Sequence, residues 1–251
     1  MNPSEEEHLA GNVSGAVRVG ATVRRPTGPW TPAVHALLTH LTGRVPHIPR
    51  VYGVDGQGRE ILDYLPGRVI DTGAELLTPA QLDALVRWTA GFHRAVAGFS
   101  HPGPWRYFPI PNPTLIGHND IAPYNACFAG DAVAGVFDWD LSGPTNPLAE
   151  LAFMAWNCVP LWEDVTAARA AARLDLMASA YGGCSARQIL HAVPPRIELM
   201  LDGIPVAAAA GDAGMARLVA LGEPERSRLS LQDLIRRIPD IDRALTGDHA
   251  G

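Results

Sequence analysis

The sequence predicts an α+β protein in two unequal parts: a small β-rich N-terminal part and a larger, mainly helical C-terminal part. Three observations predict it. Short strand-length pieces separated by glycine turns fill the stretch up to Leu65. Ile116 to Asp140 reads as a tight hairpin fed by a loop. Five helix-length segments follow Asp140, with no strand signal of weight among them.

In chain order, residues 1–7 read as a solvated acidic tail. A glycine-bearing turn at Gly11–Gly15 comes next, and Val17 to Arg24 alternates around a Gly20-Ala21 turn. Thr31 as N-cap and Pro32 at the first helical position open a helix with Val34, Leu37, Leu38 and Leu41 as its apolar stripe, ended by Gly43. His35 beside that stripe is expected to be simply packed. Val51–Val54 and Glu60–Leu65 are two strands joined by Asp55-Gly56-Gln57-Gly58, and Pro66-Gly67 ends the second. Thr78-Pro79 caps a helix running to about Ala97. A Pro- and aromatic-rich loop then reaches the Thr114-Leu115-Ile116 strand. Asn125–Phe128 and Val133–Phe137 form the hairpin, reversed at Ala129-Gly130-Asp131. After a turn at Gly143-Pro144, Pro147–Cys158, Val165–Tyr181, Ser185–Leu201, Ala213–Leu221 and Pro224–Arg237 read as helices.

A chain of 251 residues is one large domain or two small ones. No stretch is apolar and long enough to span a bilayer, and the acidic start MNPSEEEHLA lacks the apolar run of a signal peptide. Cys127, Cys158 and Cys184 give neither a disulfide framework nor a zinc pattern, which fits a reduced cytoplasm. The net charge of −6 argues against nucleic acid as a partner. All twenty basic residues are Arg.

The chemistry concentrates in IGHNDIAPYNACFAGDAVAGVFDWD, Ile116 to Asp140. Antiparallel pairing puts Asn125 beside Asp138 at the open end of the hairpin, with His118 and Asp120 on the loop entering that end. Two carboxylates and an amide oxygen are hard ligands suited to magnesium. His118-x-Asp120, with Asn125 five residues after the Asp, matches the spacing of the protein-kinase catalytic loop. Trp139-Asp140 follows Asp138 where a protein kinase has Phe-Gly, and no Ala-Pro-Glu follows. The stretch therefore resembles the aminoglycoside phosphotransferase and choline kinase-like family, with Asn119 in place of the usual Gly and Phe137 in place of the usual Ile.

That resemblance implies a protein-kinase-like two-lobe fold, with residues 1–65 as the nucleotide-binding lobe and 66–251 as the catalytic and substrate-binding lobe. It implies ATP and Mg2+ as cofactors, Asp120 as the group that accepts the acceptor's hydroxyl proton, and Asn125 and Asp138 as magnesium ligands. The glycine hairpin would cover the phosphates. The main chain of Asp63, Tyr64 and Leu65 would meet the base. Asp140 would hydrogen-bond the catalytic-loop backbone, while His118 and His93 would brace it.

Two features depart from the family. There is no Lys for the phosphate-binding strand, which leaves Arg24 as the best candidate and Arg25 as the alternative, on opposite faces of that strand. The Thr31 helix carries no carboxylate to pair with such a cation. Two readings follow: a phosphotransferase acting on a hydroxylated small molecule, such as an aminoglycoside-like antibiotic or another metabolite, or a pseudokinase-like binding or immunity module that transfers nothing. A metal-dependent phosphohydrolase is disfavoured, since no second acidic cluster supplies a two-metal site. Glu150, Glu163, Asp164, Glu198 and Asp202 are the acids available for a cationic acceptor, interleaved with Arg169, Arg173, Arg187 and Arg196.

Overall fold

The computed structural model describes residues 6–9, 15–106 and 108–247. The expected turn at Gly11–Gly15 lies, apart from Gly15, outside them. Five strands form the N-terminal sheet: β1 (Glu7–His8), β2 (Val17–Val19), β3 (Thr22–Pro26), β4 (Val51–Val54) and β5 (Arg59–Asp63), in the order β1-β2-β3-β5-β4, all antiparallel. The N-terminal tail is thus not wholly free. Glu7 pairs with Arg18 across the β1–β2 ladder, and Glu6 accepts from Arg59 at 3.0 Å, because this edge offers unpaired backbone and two guanidiniums.

One helix, α1 (Thr31–Leu41), lies between β3 and β4 and buries Val34, Leu37, Leu38 and Leu41 as its periodicity predicts. Its N-cap is Trp30 rather than Thr31, whose hydroxyl instead accepts from the Gly28 amide at 2.9 Å. A short β6 (Arg68–Val69), unmarked in the sequence, then pairs with the hairpin made of β8 (Ala126–Ala129) and β9 (Ala132–Val136).

The long helix α2 (Pro79–Ala95) starts in a full capping box between Thr78 and Gln81. The same two residues tie it to the hairpin turn, Thr78 to Asp131 at 2.9 Å and Gln81 to the Gly130 carbonyl at 3.0 Å. The hairpin's turn end is thereby fixed and its open end aimed at the sheet. β7 (Leu115–Gly117) pairs with β10 (Gly143–Thr145), so a strand does follow Asp140 where a turn was expected. A three-residue strand containing Pro has no local signature, and only the distant partner makes it one.

Helices α3 (Pro147–Cys158), α4 (Ala167–Tyr181), α5 (Ala186–Ala209), α6 (Ala213–Ala220) and α7 (Glu223–Thr246) complete the chain. α5 and α7 run past their expected ends, through Pro205 and Pro239 respectively. Burial of Ile204 and Ile241 beyond the expected ends outweighs the hydrogen bond each proline removes. One continuous apolar core joins α1 to α2, the hairpin and the helices α3, α4, α5 and α7.

Candidate active site

The hairpin brings its two ends together as the spacing requires. The Asn125 carbonyl accepts from the Phe137 amide at 3.0 Å, which sets Asp138 directly beyond it. Trp139 is fully buried against Phe92 and His118, at centroid separations of 5.3 and 4.6 Å. This anchor fixes the acids on either side of it. Asp138 has φ +60° and Asn119 φ +64°, left-handed values that Asn and Asp tolerate better than other side chains. Two such residues at one site mark a backbone held by its surroundings. Asn119 fills the place of the family's Gly for this reason.

Asp120 takes the Asn125 amide on its carbonyl at 3.0 Å and on its carboxylate at 2.7 Å, with the Tyr124 hydroxyl 3.3 Å from the other oxygen. Burial, then the nearby Asp138 charge, push its carboxyl up to about 7. His118 is buried, its Nε2 3.0 Å from the Phe137 carbonyl and its Nδ1 accepting from the Asp120 amide at 3.3 Å. It braces loop to hairpin, and burial lowers its pKa.

Beneath the loop sits Glu150 of α3, fully buried, accepting the amides of His118 and Asn119 at 2.8 Å each and meeting His93 Nε2 at 2.6 Å. His93 in turn contacts the Tyr181 hydroxyl at 2.8 Å. The expected bracing by His93 therefore acts through Glu150, which cannot line an acceptor site. Gly117 permits this approach, since a Cβ there would lie 2.5 Å from the Glu150 carboxylate. Burial alone would raise the Glu150 carboxyl, but His93 and the loop amides outweigh it and hold it low. A depressed folded value adds stability above the free carboxylate range that is lost as pH falls through the folded value. Glu150→Gln is therefore expected to lose about 2 kcal/mol at neutral pH and to flatten the acid limb of stability, read by urea unfolding across pH.

The cation that reaches the acids is Arg25. Arg24, the expected one, points to the other face, 2.6 Å from the Thr22 hydroxyl and 3.9 Å from Asp55. Arg25 is buried, with Nε 2.5 Å from Glu60, one terminal nitrogen 2.7 Å from Asp138 and the other 2.5 Å from Asp140. Burial alone would lower its pKa, but Asp140, Asp138 and Glu60 outweigh that and raise it. The alternation along β3 separates the two arginines, and the side of the sheet on which the hairpin lies decides between them.

Asp140 thus pairs with Arg25, and with Arg106 at 3.3 Å, not with the catalytic-loop backbone. Arg106 also grips Asp212 through two bonds of 2.7 and 2.8 Å and stacks over Trp30 at 4.4 Å. Glu60, Arg106 and Asp212 were not singled out from the sequence. Glu60 had one signal: it lies directly opposite Arg25 in the β3–β5 register, an opposite-charge cross-strand pair. Arg106 and Asp212 are 106 residues apart and gave none.

At the expected linker, the Asp63 amide donates to the Arg50 carbonyl at 3.1 Å and the Tyr64 amide to Ala21 at 2.9 Å. Those two amides are committed, and the Leu65 carbonyl accepts from the Cys127 thiol at 3.6 Å. Among the described residues no group of three His, Cys, Asp or Glu side chains forms a metal cluster. Asn125 and Asp138 offer two oxygen donors, and Asp138 keeps 41% of its side chain exposed despite Arg25.

The chain is similar to several known proteins. Residues 105–185 match the model of the phosphotransferase enzyme family, known as APH. The trifolitoxin immunity protein of Rhizobium leguminosarum bv. trifolii is 32% identical over 170 residues, 63% of this chain and 64% of that protein. The chain thus spans just under two thirds of that relative's length. The GDP complex of aminoglycoside 2'-phosphotransferase-IIIa superposes with a TM-score of 0.62 at 15% identity, over 93% of this chain and 94% of that one. A choline/ethanolamine kinase family protein from Mesorhizobium loti gives 0.55 at 17%, over 98% and 93%. The macrolide 2'-phosphotransferase of Brachybacterium faecium gives 0.55 at 16%, over 90% and 91%. The chain has the protein-kinase-like fold of small-molecule phosphotransferases. The resemblance to the aminoglycoside phosphotransferase and choline kinase-like family holds in sequence over residues 105–185 and in fold over most of the chain.

Proposed function

We propose that this protein transfers the γ-phosphoryl group of ATP to a hydroxyl of a small molecule. The observation that carries the reading is the convergence of Asp120, Asn125, Asp138 and Arg25. Residues 1–65 would hold the nucleotide and 66–251 the acceptor, with the Asp63–Leu65 main chain against the base.

The donor set fits a divalent cation. Four carboxylates, Glu60, Asp138, Asp140 and Asp212, share two guanidiniums, Arg25 and Arg106, with the His35 imidazole also on Glu60, so the acids outnumber the arginines by two. Asn125 and Asp138 would hold Mg2+, which when bound neutralises phosphate charge. Asp120 accepts the proton of the acceptor hydroxyl, and a carboxyl near 7 is matched to that task at neutral pH. Arg25 supplies the fixed positive charge that a Lys gives elsewhere, and its planar fork suits phosphate oxygens. His118, Asn119 and Glu150 hold the loop so that little reorganisation is needed during transfer.

Among the acids considered for the acceptor, Glu163, Asp164 and Glu198 are exposed and Asp202 pairs with Arg228. Aminoglycosides and macrolides are the acceptors of two fold neighbours by name, and a hydroxylated antibiotic or metabolite is the class proposed here, in a reduced cytoplasmic setting that suits three free thiols. A second reading is a binding or immunity module without transfer. The similarity to an immunity protein favours it, as does Arg25 already spanning Asp138 and Asp140. Calorimetry with Mg-ATP, followed by ADP release over a panel of hydroxylated antibiotics and metabolites, separates the two. Magnesium-dependent binding with acceptor-stimulated ADP release supports transfer. No Mg-ATP binding overturns it in favour of the module.

A further inference from the structure

The loop that carries Asp120 shows almost nothing to solvent. From Ile116 to Phe128 every residue is buried except two: Asp120, which is partly exposed, and Tyr124, which is 41% exposed. Those two side chains meet. The Tyr124 hydroxyl lies 3.3 Å from one carboxylate oxygen of Asp120, while the Asn125 amide holds the other at 2.7 Å. A phenol is protonated at neutral pH and donates, so both oxygens are occupied. They are occupied unequally. The Asn125 bond is short for N–H···O, whereas O–H···O bonds are usually about 2.7–2.8 Å, so the Tyr124 bond is the loose one. The local chain explains the placement. Pro123–Asn125 make a single tight helical turn, closed by the Asn125 amide on the Ala122 carbonyl at 3.0 Å. That turn sends Asn125 inward and leaves Tyr124 facing out beside Asp120.

We propose that Tyr124 is a specificity residue of the transfer: its hydroxyl caps the outward oxygen of Asp120 and so favours an alcohol over water as the nucleophile. The proposal deepens the phosphotransferase reading above and rests on it. Water and an alcohol can both deliver a proton to Asp120. In either case the nucleophile's oxygen bonds to the γ-phosphorus and its proton passes to Asp120. The bond from the γ-phosphorus to the bridging oxygen breaks, and ADP leaves with that electron pair. Reaching Asp120 costs the Tyr124 hydrogen bond. Water brings nothing to offset the loss. An acceptor brings a carbon skeleton that packs on the exposed phenol ring and recovers it. The displaced hydroxyl turns to solvent and is not left buried and unpaired, because the side chain is already exposed.

The test needs no acceptor. ADP release from Mg-ATP in water alone is compared for wild type, Tyr124→Phe and Tyr124→Ala, with Mg-ATP affinity measured by calorimetry beside it. The assay is run at about pH 8.5, because losing the phenol's hydrogen bond raises the Asp120 carboxyl further above its value of about 7 and the group must stay ionised in every variant. Tyr124→Phe loses only the cap and is expected to release ADP about fivefold faster than wild type, the worth of one hydrogen bond. Tyr124→Ala also opens the ring's side of the oxygen and is expected to be faster still, about tenfold. Both are expected to bind Mg-ATP as wild type does. A Tyr124→Phe protein that hydrolyses Mg-ATP at or below the wild-type rate overturns the inference. So does one that has lost Mg-ATP affinity, which places the phenol in the nucleotide site instead. If Tyr124→Ala does not fold, Tyr124→Phe decides alone, since it removes a single oxygen from an exposed side chain. A wild type that binds no Mg-ATP overturns the phosphotransferase reading itself, and the calorimetry shows this before any variant is compared.

Discussion

An Asp138→Ala protein is expected to lose turnover by about a thousandfold, the scale set by removing a fixed charge from a transition state with developing negative charge. Asp138 sits at the head of the β9 exit, in a left-handed conformation, with its carboxylate shared between Arg25 and solvent. Removing it takes away one of two proposed metal donors. It also lets Arg25 settle on Asp140 and Glu60. The fold should survive, because the anchor of this turn is the buried Trp139. The loss should therefore appear in kcat with a folded protein whose Tm falls only modestly, since Asp tolerates the φ of +60° better than Ala and Arg25 loses one of its three acids. Steady-state ADP release with an acceptor found in the panel measures it, and a variant with the wild-type rate would sink the assignment.

The second large effect separates two neighbouring arginines. Arg25→Ala leaves the buried Glu60 with His35 alone and Asp140 with Arg106 alone. Breaking a buried pair typically costs about 3–5 kcal/mol, which for a chain of this size lowers Tm by about 10 °C. Mg-ATP affinity should fall about a hundredfold, since the phosphates lose their fixed positive charge. Arg24→Ala should lose under about 1 kcal/mol, because its contacts with Thr22 and Asp55 are only half-buried. Its Mg-ATP affinity should equal that of the wild type. Equal losses in both variants would contradict the assignment of the cation to Arg25.

Much of the fold was legible because its signals are local. The hairpin around Gly130, the capping box at Thr78 and the helix at Pro147–Cys158 each carry their own punctuation. The strand β10, the reach of α5 and α7 past their prolines and the pairing of the N-terminal tail carry none, because distant partners stabilise them. The same division runs through the site. Asp120, Asn125 and Asp138 lie within one hairpin and its loop, so their spacing alone brings them together.

The sequence by itself determined which groups could do chemistry here: two acids and an amide at kinase-like spacing, with Arg as the sole type of basic residue. Only the tertiary structure decided how they are held. It placed Arg25 rather than Arg24 against the acids, put Glu60 and His35 where a helix carboxylate was missed, and sank Glu150 beneath the loop instead of lining a cleft. The reason is geometric. Spacing along the chain fixes neighbours within a hairpin, but which face of a sheet meets that hairpin depends on how separate elements pack, and packing couples residues that the sequence keeps far apart.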